Sequence, residues 1–230
     1  MKVLIIDPRV HTPTSRMYKH YDYLYDELVK STECFLYRNI NFSNIHEPLE
    51  QVRAQGFNPD IIYFGMGYFA LQPPYFSKDL KLKEIDIPCV GFLYKPQNFL
   101  NEKLNFLKQF DSAVSSIPNC TEYENQTGIK FTVLSQAGDH EVFYDRKEEK
   151  VYDIGFSGAL HDNKLYVDGA FKSFNIRSRA QQILSEQSEL STFLNGSDDV
   201  AKRIPTYEEY ARKISQCKMW IATPAPFEEI

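Results

Sequence analysis

The sequence predicts an α/β protein built from two units that each contain a parallel sheet. In the first half, short uninterrupted apolar runs such as Val3–Ile6 alternate with segments of helical periodicity. A second series of this kind begins at Val151–Leu160, after the charged segment Asp145–Lys150. The 230 residues, 43% of them hydrophobic, suffice for one large core or two small ones. We therefore expect one Rossmann-like domain over residues 1–148 and a second over residues 149–230.

Six strands are predicted for the first unit, because short apolar runs are typical of strands that a parallel sheet buries on both faces. They are Val3–Ile6, Cys34–Tyr37, Asp60–Phe64, Ile87–Tyr94, Ser112–Ile117 and Lys130–Leu134. The helices predicted between them are Met17–Lys30, Pro48–Gln55, Asn101–Phe110 and Thr121–Thr127. Gly56 is a predicted C-terminal stop for the second of these helices. Alternating strands and helices favour a parallel sheet that is covered on both faces.

The second unit is predicted to contain fewer elements. After the first strand and its glycines, a polar and aromatic insertion covers His161–Asn175. The elements predicted after it are a helix over Ile176–Leu184, a strand over Leu190–Asn195, a helix through Ser215 and a strand over Lys218–Thr223. Thr206 and Glu209 have the spacing of a capping box, so the last helix should start there. A free-standing α/β unit normally carries more strands, and we expect the second unit to be incomplete.

Charge and composition argue against several classes of protein. The net charge is −5 and Lys and Arg are scattered, so the sequence makes no electrostatic case for nucleic-acid binding. No apolar run approaches the ~20 residues that a membrane span requires, and no signal peptide precedes the first strand. Cys34, Cys89, Cys120 and Cys217 lie far apart, which favours reduced thiols over a metal site. We expect a cytoplasmic protein.

Gly65-Met66-Gly67-Tyr68-Phe69-Ala70 matches the dinucleotide-binding pattern G-x-G-x-x-A, and Glu84 lies near the offset expected for a ribose carboxylate. The segment follows the third predicted strand rather than the first, however, and two prolines interrupt the helix that should open there. A glycine turn at the edge of a cleft is therefore favoured over an NAD-type site in an oxidoreductase. Since ligands of open α/β sheets bind beyond the carboxyl ends of the strands, Gly65, Gly67 and Tyr68 are predicted to line that cleft.

Gly155, Ser157 and Gly158 are predicted to form a tight loop that lets backbone N–H groups approach a phosphate. Ser157 would donate a hydrogen bond to that phosphate. Arg177 and Arg179, at the start of the next helix, would supply positive charge to a diphosphate. Two plainer interpretations stay open, namely a strand-to-helix turn without a ligand and two ordinary solvated arginines.

Two histidines, an aspartate and a lysine complete the candidate residues. His11 lies in a proline-bounded loop after the first strand and would act as a general base for a hydroxyl nucleophile, with Asp7 orienting it or acting itself. His140 lies at the junction of the two units, where it would either hydrogen-bond a donor molecule or cap a turn. Lys95 follows the fourth strand and would face a ligand. The plainer alternatives are a surface histidine at position 11 and a solvated lysine at position 95.

The order of motifs in the second half resembles that of GT-B glycosyltransferases. The segments that carry the resemblance are Leu134–Phe143, Tyr152–Leu160, the arginine-led helix at Arg177 and Arg179, and Tyr207–Lys218. The likeness is greatest to the spore-maturation-type (CgeB-like) group of family 1-like glycosyltransferases, which has a similar "plgaD…vF" segment followed by a "yDvsFvGsl" strand. It covers mainly residues 134–230, whereas the first half agrees in architecture only.

The resemblance implies a GT-B fold that transfers a sugar from a nucleotide-sugar donor to a hydroxyl acceptor such as a glycan. On that interpretation the candidate residues of the second half, Gly155, Ser157, Gly158, Arg177, Arg179 and His140, would bind the donor. The cleft-lining candidates of the first half, Gly65, Gly67, Tyr68 and Lys95, would then lie on the acceptor side. No metal or other cofactor would be strictly required, because helix dipoles and basic side chains stabilise the leaving diphosphate in such enzymes. His11 or Asp7 would act as a base only if the reaction inverts configuration.

One departure from the family pattern keeps a second function open. In the family, an Arg-x-Phe-Glu-type segment follows the strand that ends here near Thr223, and its Glu holds the donor ribose. Phe227-Glu228-Glu229 is a poor match to that segment, and the C-terminal helix of the family does not follow it. We therefore expect a truncated enzyme or a minimal relative. The alternative function is a non-catalytic α/β module, derived from such an enzyme, that binds a glycan or another partner.

Overall fold

In the computed structural model the chain divides into two compact units, Met1–Gln136 and Ala137–Ile230. The structure describes residues 1–8, 25, 27–71, 74–94, 96, 99–116, 119–134, 142–160, 163–167, 170–174, 176–202 and 204–222. Each unit has its own parallel sheet, of six strands in the first and three in the second. The predicted α/β class and the predicted parallel pairing are confirmed.

The sheet of the first unit has the strand order β2-β1-β3-β4-β5-β6. Its strands are β1 Lys2–Ile6, β2 Glu33–Tyr37, β3 Ile61–Phe64, β4 Cys89–Leu93, β5 Ser112–Ser115 and β6 Lys130–Val133. Each predicted strand of this unit is present, with ends that differ from the prediction by one or two residues. β1 lies between β2 and β3 and is almost completely buried, as its continuous apolar run predicts.

The helices of the first unit connect these strands. They are α1 His46–Ala54, the single turn α2 Met66–Phe69, α3 Leu100–Leu107 and α4 Thr121–Thr127. After α1, Gly56 adopts a φ of +81°, a left-handed conformation that suits glycine, so the predicted stop is confirmed. Of the helix predicted over Met17–Lys30, the structure describes residue 25 and residues 27–30, which are helical; the rest lies outside the described residues.

Aromatic rings fill much of the core on one side of the first sheet. Phe106 of α3 stacks on Tyr68 with ring centroids 5.8 Å apart, and it packs edge-on against Phe110 at 5.4 Å. Phe64, at the end of β3, packs edge-on against Tyr68 at 5.0 Å. Such edge and stacked pairs add to the stabilisation that burial of the rings provides.

The second unit contains a three-stranded parallel sheet of order β10-β7-β11. Its strands are β7 Tyr152–Gly158, β10 Thr192–Gly196 and β11 Cys217–Trp220, and its helices are α5 Ile176–Ser185 and α6 Tyr207–Ser215. The insertion after β7 forms an antiparallel hairpin, β8 Asn163–Val167 and β9 Ala170–Phe174. The hydroxyl of Thr206 accepts a hydrogen bond from the Glu209 N–H at 3.2 Å, which confirms the predicted start of α6.

The predicted glycine loop at residues 155–158 is wrong, because these residues form the carboxyl half of strand β7. Gly155 pairs with Phe193 of β10 and with Trp220 of β11. A Cβ atom at this position would overlap the Cys217 sulfur and the Trp220 ring, so the glycine makes room for side chains of β11. Gly158, with a φ of +153°, ends the strand in a conformation that other residues rarely adopt.

Candidate functional site

In both sheets the strand order reverses at the first strand, and ligands of open α/β sheets usually bind at such a point. In each sheet the strand that comes first in sequence lies between the second and the third, so the connections leave its carboxyl end in opposite directions. In the first unit this point is marked by the Gly65 N–H, which donates to the Ile6 carbonyl at 3.0 Å. In the second unit the Ile221 N–H donates to the Gly155 carbonyl at 2.8 Å. Each unit thus has one candidate site at its carboxyl edge.

At the edge of the first sheet, Asp7 follows β1 and is only 1% exposed. Its Oδ2 accepts hydrogen bonds from the Tyr25 hydroxyl and, at 2.8 Å, from the Gly67 N–H. Burial and the neighbouring Asp7 charge raise the pKa of Tyr25 well above its usual value, so the phenol stays protonated and keeps donating. The predicted residues Asp7 and Gly67 therefore meet, and Tyr25 is a partner that the sequence did not reveal.

Gly65 is required by this arrangement for reasons of space. A Cβ atom there would overlap the Tyr25 hydroxyl and the Asp7 carboxylate and would lie 3.1 Å from the Asp7 Cβ. The backbone of Gly65 is extended, with φ −75° and ψ 175°, a conformation open to any residue. The glycine therefore admits a polar pair and is not needed for the turn itself.

Tyr68 does not line an open cleft, in contrast to the prediction. The ring is fully buried among aromatic side chains, because the single turn α2 directs it into the core. Burial raises the pKa of Tyr68, and within the part of the chain that is described its hydroxyl has no hydrogen-bond partner. A turn follows β3 as predicted, but the sequence did not indicate in which direction the Tyr68 side chain points.

A buried lysine lies near the same edge and was not predicted. Lys103 of α3 is 1% exposed, and its ammonium donates to the Tyr94 carbonyl, just after β4, at 2.7 Å. The ammonium also lies 5.8 Å from the Phe76 ring centroid. Helical spacing offered a signal, because Lys103 shares a helix face with the buried residue Leu107.

At the edge of the second sheet, the hydroxyl of Ser157 lies 3.2 Å from the Asn195 carbonyl and 3.3 Å from its side-chain oxygen. This contact joins β7 to β10 at their carboxyl ends. The Ser197 N–H donates to the Gly158 carbonyl at 2.9 Å and continues the same pairing beyond the strands. Ser157 and Gly158 thus lie at the predicted edge, on a strand end and not in a free loop.

The first turn of α5 meets this strand end. The Ser178 hydroxyl donates to the Leu160 carbonyl at 2.8 Å, and the Arg177 guanidinium lies 3.5 Å from the Ala159 carbonyl. Arg177 is half-buried, whereas Arg179 is exposed. Residues two apart on a helix point to different sides, so only Arg177 is brought to the end of β7. The helix N-terminus and this arginine give the edge a positive electrostatic character.

Four aromatic side chains of the second unit pack together, and we call them the edge aromatic cluster: Phe143, Tyr207, Tyr210 and Trp220. Ring centroids are 6.2 Å apart for Phe143–Tyr207 and for Phe143–Tyr210, and 5.4 Å apart for Tyr210–Trp220. Burial raises the pKa of Tyr210, while a hydrogen bond with Trp220 and the charge of Arg177 act in the opposite direction. Sequence reasoning missed this cluster, although the chain's only tryptophan lies within the strand predicted over Lys218–Thr223.

A recess of about 340 Å³ opens beside α6 in the second unit. The residues that line it are Asn195, Ile204, Pro205, Glu209, Arg212 and Lys213. Arg212 pairs with Glu148 at 3.3 Å, and the Lys213 ammonium lies 5.0 Å from the Phe193 ring centroid. Its two basic side chains therefore already have contacts within the unit.

Three predicted site residues, His11, Lys95 and His140, lie outside the described residues. Over the described part of the chain, no group of three or more His, Cys, Asp or Glu side chains is arranged to hold a metal ion. Within the same residues, no helix combines the length and apolar character needed to cross a membrane.

Comparison with known proteins yields no relative. No family model matches the chain, and neither a curated protein nor a solved structure is similar to it.

Proposed function

We propose that the chain is a glycosyltransferase, or a portion of one, that transfers a sugar from a nucleotide-sugar donor to a hydroxyl acceptor. Two parallel α/β units in one chain are compatible with the GT-B architecture that the motif order of residues 134–230 resembles. In this proposal the second unit binds the donor and the first unit binds the acceptor. The fold alone does not specify this activity, so the proposal depends on the site.

The observation that carries the proposal is the meeting of Arg177 and the first turn of α5 with the carboxyl end of β7. A helix N-terminus presents unpaired N–H groups and a partial positive charge, which favour a bound diphosphate. Arg177 adds a guanidinium with several donors in a planar fork. The leaving nucleoside diphosphate gains negative charge as the glycosidic bond breaks, so these groups would stabilise the transition state more than the ground state.

A second candidate function is a non-catalytic binding module, and Asp7 favours it. The Oδ2 atom of this carboxylate already accepts hydrogen bonds from Tyr25 and from the Gly67 N–H. A general base must reach the proton that it removes, and a carboxylate that is 1% exposed is poorly placed to do so. In the glycosyltransferase proposal, His11 is therefore the better candidate for the base, and Asp7 has a supporting role.

Isothermal titration of the full chain with UDP-sugars and GDP-sugars separates the two functions. Donor binding at micromolar levels is expected for a glycosyltransferase, and Arg177→Gln should weaken it at least about tenfold, because a hydrogen bond to a charged group is lost. Arg179→Gln removes the same charge two residues along the helix and should leave the affinity unchanged. Absence of heat across the donor panel, with glycan binding retained, would support the binding module instead.

A further inference from the structure

Phe99 departs from two local preferences at the start of α3. Its backbone is left-handed, with φ +58° and ψ +43°, a conformation that is costly for a residue with a Cβ. It is also the N-cap of the helix, where Ser, Thr, Asp and Asn are favoured because their side chains accept a hydrogen bond from the first turn. A phenyl ring cannot accept that bond. Asparagine would satisfy both preferences, so the local backbone does not account for phenylalanine at this position.

The other non-glycine residues with a positive φ in the described part of the chain are two lysines in aspartate turns. Lys81 and Lys147 have φ values of +58° and +53°, and the N–H of each donates to the aspartate two residues earlier. Both lysine side chains lie in solvent. Phe99 differs from them, because its large apolar ring is 41% exposed in spite of the cost of its backbone. Packing in the core therefore does not account for the ring either.

The backbone of Phe99 is held in place at the carboxyl edge of the first sheet. Residues 94–99 connect β4 to α3, and Lys103 contacts both ends of this connection. The Lys103 ammonium donates to the Tyr94 carbonyl at 2.7 Å, and its N–H donates to the Phe99 carbonyl at 3.0 Å. Since Lys103 is 1% exposed, both contacts are anchored in the core. The Phe99 ring thus starts from a fixed backbone at the edge where open α/β sheets bind ligands.

The chemistry of this ring favours a sugar as its partner. The faces of a phenyl ring carry partial negative charge, and they attract the weakly positive C–H groups on the apolar face of a pyranose. A phenyl ring has no hydrogen-bond donor, so it offers nothing to a diphosphate. In the proposed function the first unit binds the acceptor, which places a sugar of the acceptor at this edge.

We infer that Phe99 is a stacking residue for a sugar ring of the acceptor, and that its unfavourable backbone conformation is retained for this contact. This inference rests on the proposed function, because it takes the acceptor to be a glycan and assigns it a contact on the first unit. Stability and binding should therefore oppose each other at position 99. A residue that suits the left-handed backbone should stabilise the protein and weaken its binding of sugars.

The full chain is titrated with the methyl glycosides of glucose, galactose, mannose and N-acetylglucosamine, and binding is followed by saturation-transfer difference NMR. Urea denaturation gives the midpoint of unfolding. Phe99→Asn should raise this midpoint, because asparagine tolerates a left-handed backbone and caps a helix. It should weaken glycoside binding at least about threefold, as expected for the loss of one aromatic contact. Phe99→Leu should weaken binding without raising the midpoint, and Phe99→Tyr, which keeps the ring, should retain most of the binding.

Lys81→Asn is the matched control, because Lys81 has the same φ, is also an N-cap and lies in the same unit. It should raise the urea midpoint and leave glycoside binding unchanged. A lower midpoint for Phe99→Asn would mean that the ring serves packing, and it would overturn the inference. Glycoside binding that Phe99→Asn and Phe99→Leu do not weaken, or no glycoside binding at all, would overturn it too. Titration with UDP-sugars and GDP-sugars tests the proposed function separately, since these Phe99 variants should not change donor binding.

Discussion

In both sheets the first strand lies between the second and the third, but the side chain buried near the carboxyl end of that first strand differs. Asp7 and Phe156 occupy equivalent positions. In each sheet, the N–H of the residue just after the third strand donates to a carbonyl of the first strand, that of Ile6 or of Gly155. Asp7 and Phe156 are the residues that follow these two carbonyls. Both side chains are buried, at 1% and 2% exposure. One is a carboxylate that requires hydrogen-bond donors around it, and the other is an aromatic ring that requires only close packing.

The polar groups of the two edges therefore have different surroundings. In the first unit, the Asp7 carboxylate accepts hydrogen bonds from the Tyr25 hydroxyl and the Gly67 N–H. These polar groups at the strand ends therefore stabilise the fold. In the second unit, the equivalent side chain is the buried, apolar ring of Phe156. The positive charge of Arg177 lies farther along the chain direction of β7, near the Ala159 carbonyl. The comparison indicates that a polar residue at a strand end is not by itself a site, since its partners decide whether it serves folding or binding.

The largest effect should follow from Asp7→Ala. The substitution leaves the Tyr25 hydroxyl and the Gly67 N–H buried without their acceptor, and each unsatisfied group costs about 1–3 kcal/mol. We expect a loss of about 3 kcal/mol in the free energy of unfolding, measured by urea denaturation with far-UV circular dichroism. Asp60→Ala is the control, because Asp60 also accepts a backbone N–H, from Lys2 at 2.7 Å, but at an exposed position. Equal losses for the two variants would contradict a structural role of Asp7.

Gly65→Ala should have the next largest effect, about 1–3 kcal/mol, because the added methyl overlaps the Tyr25 hydroxyl and the Asp7 carboxylate. Tyr25→Phe removes that hydroxyl, so the double variant should lose less stability than the two single variants predict together. Gly128→Ala provides the comparison, since Gly128 has a φ of +75° and open space around it. Its cost comes from the backbone alone and should add to that of Tyr25→Phe. Additive losses for Gly65→Ala would rule out overlap with the Tyr25 hydroxyl as the cause of the cost.

Sequence patterns predicted the strands well because they depend on local composition. The uninterrupted apolar run of β1 and the capping spacing of Thr206 and Glu209 are both local signals, and both are confirmed. The glycine loop was wrong because Gly155 serves a contact with β11, more than sixty residues along the chain. A glycine that makes a turn and a glycine that admits a distant side chain look the same in a sequence.

The candidate sites were predicted only in part for the same reason. The position of Asp7 after β1 was evident, but its partners Tyr25 and Gly67 are 18 and 60 residues away. The edge aromatic cluster combines Phe143 with residues of α6 and β11, which only the packing of the unit brings together. Periodicity reports which face of an element is buried, and it does not report which elements meet.

The smallest expected effect is a change in how stability depends on alkaline pH. Burial and the charge of Asp7 raise the pKa of Tyr25 and of Tyr63 above the value of about 10 for an unfolded tyrosine. Above that pH the unfolded chain releases protons that the folded chain retains, so the free energy of unfolding should fall as the pH rises.

Tyr25→Phe removes one such group and should reduce this slope by up to about 1.4 kcal/mol per pH unit. Urea denaturation between pH 9 and pH 11 measures the slope, with Tyr144→Phe, at an exposed position, as the control. If wild type and Tyr25→Phe gave parallel curves, Tyr25 would not be the buried proton donor to Asp7, and the contrast between the two carboxyl edges would lose its electrostatic basis.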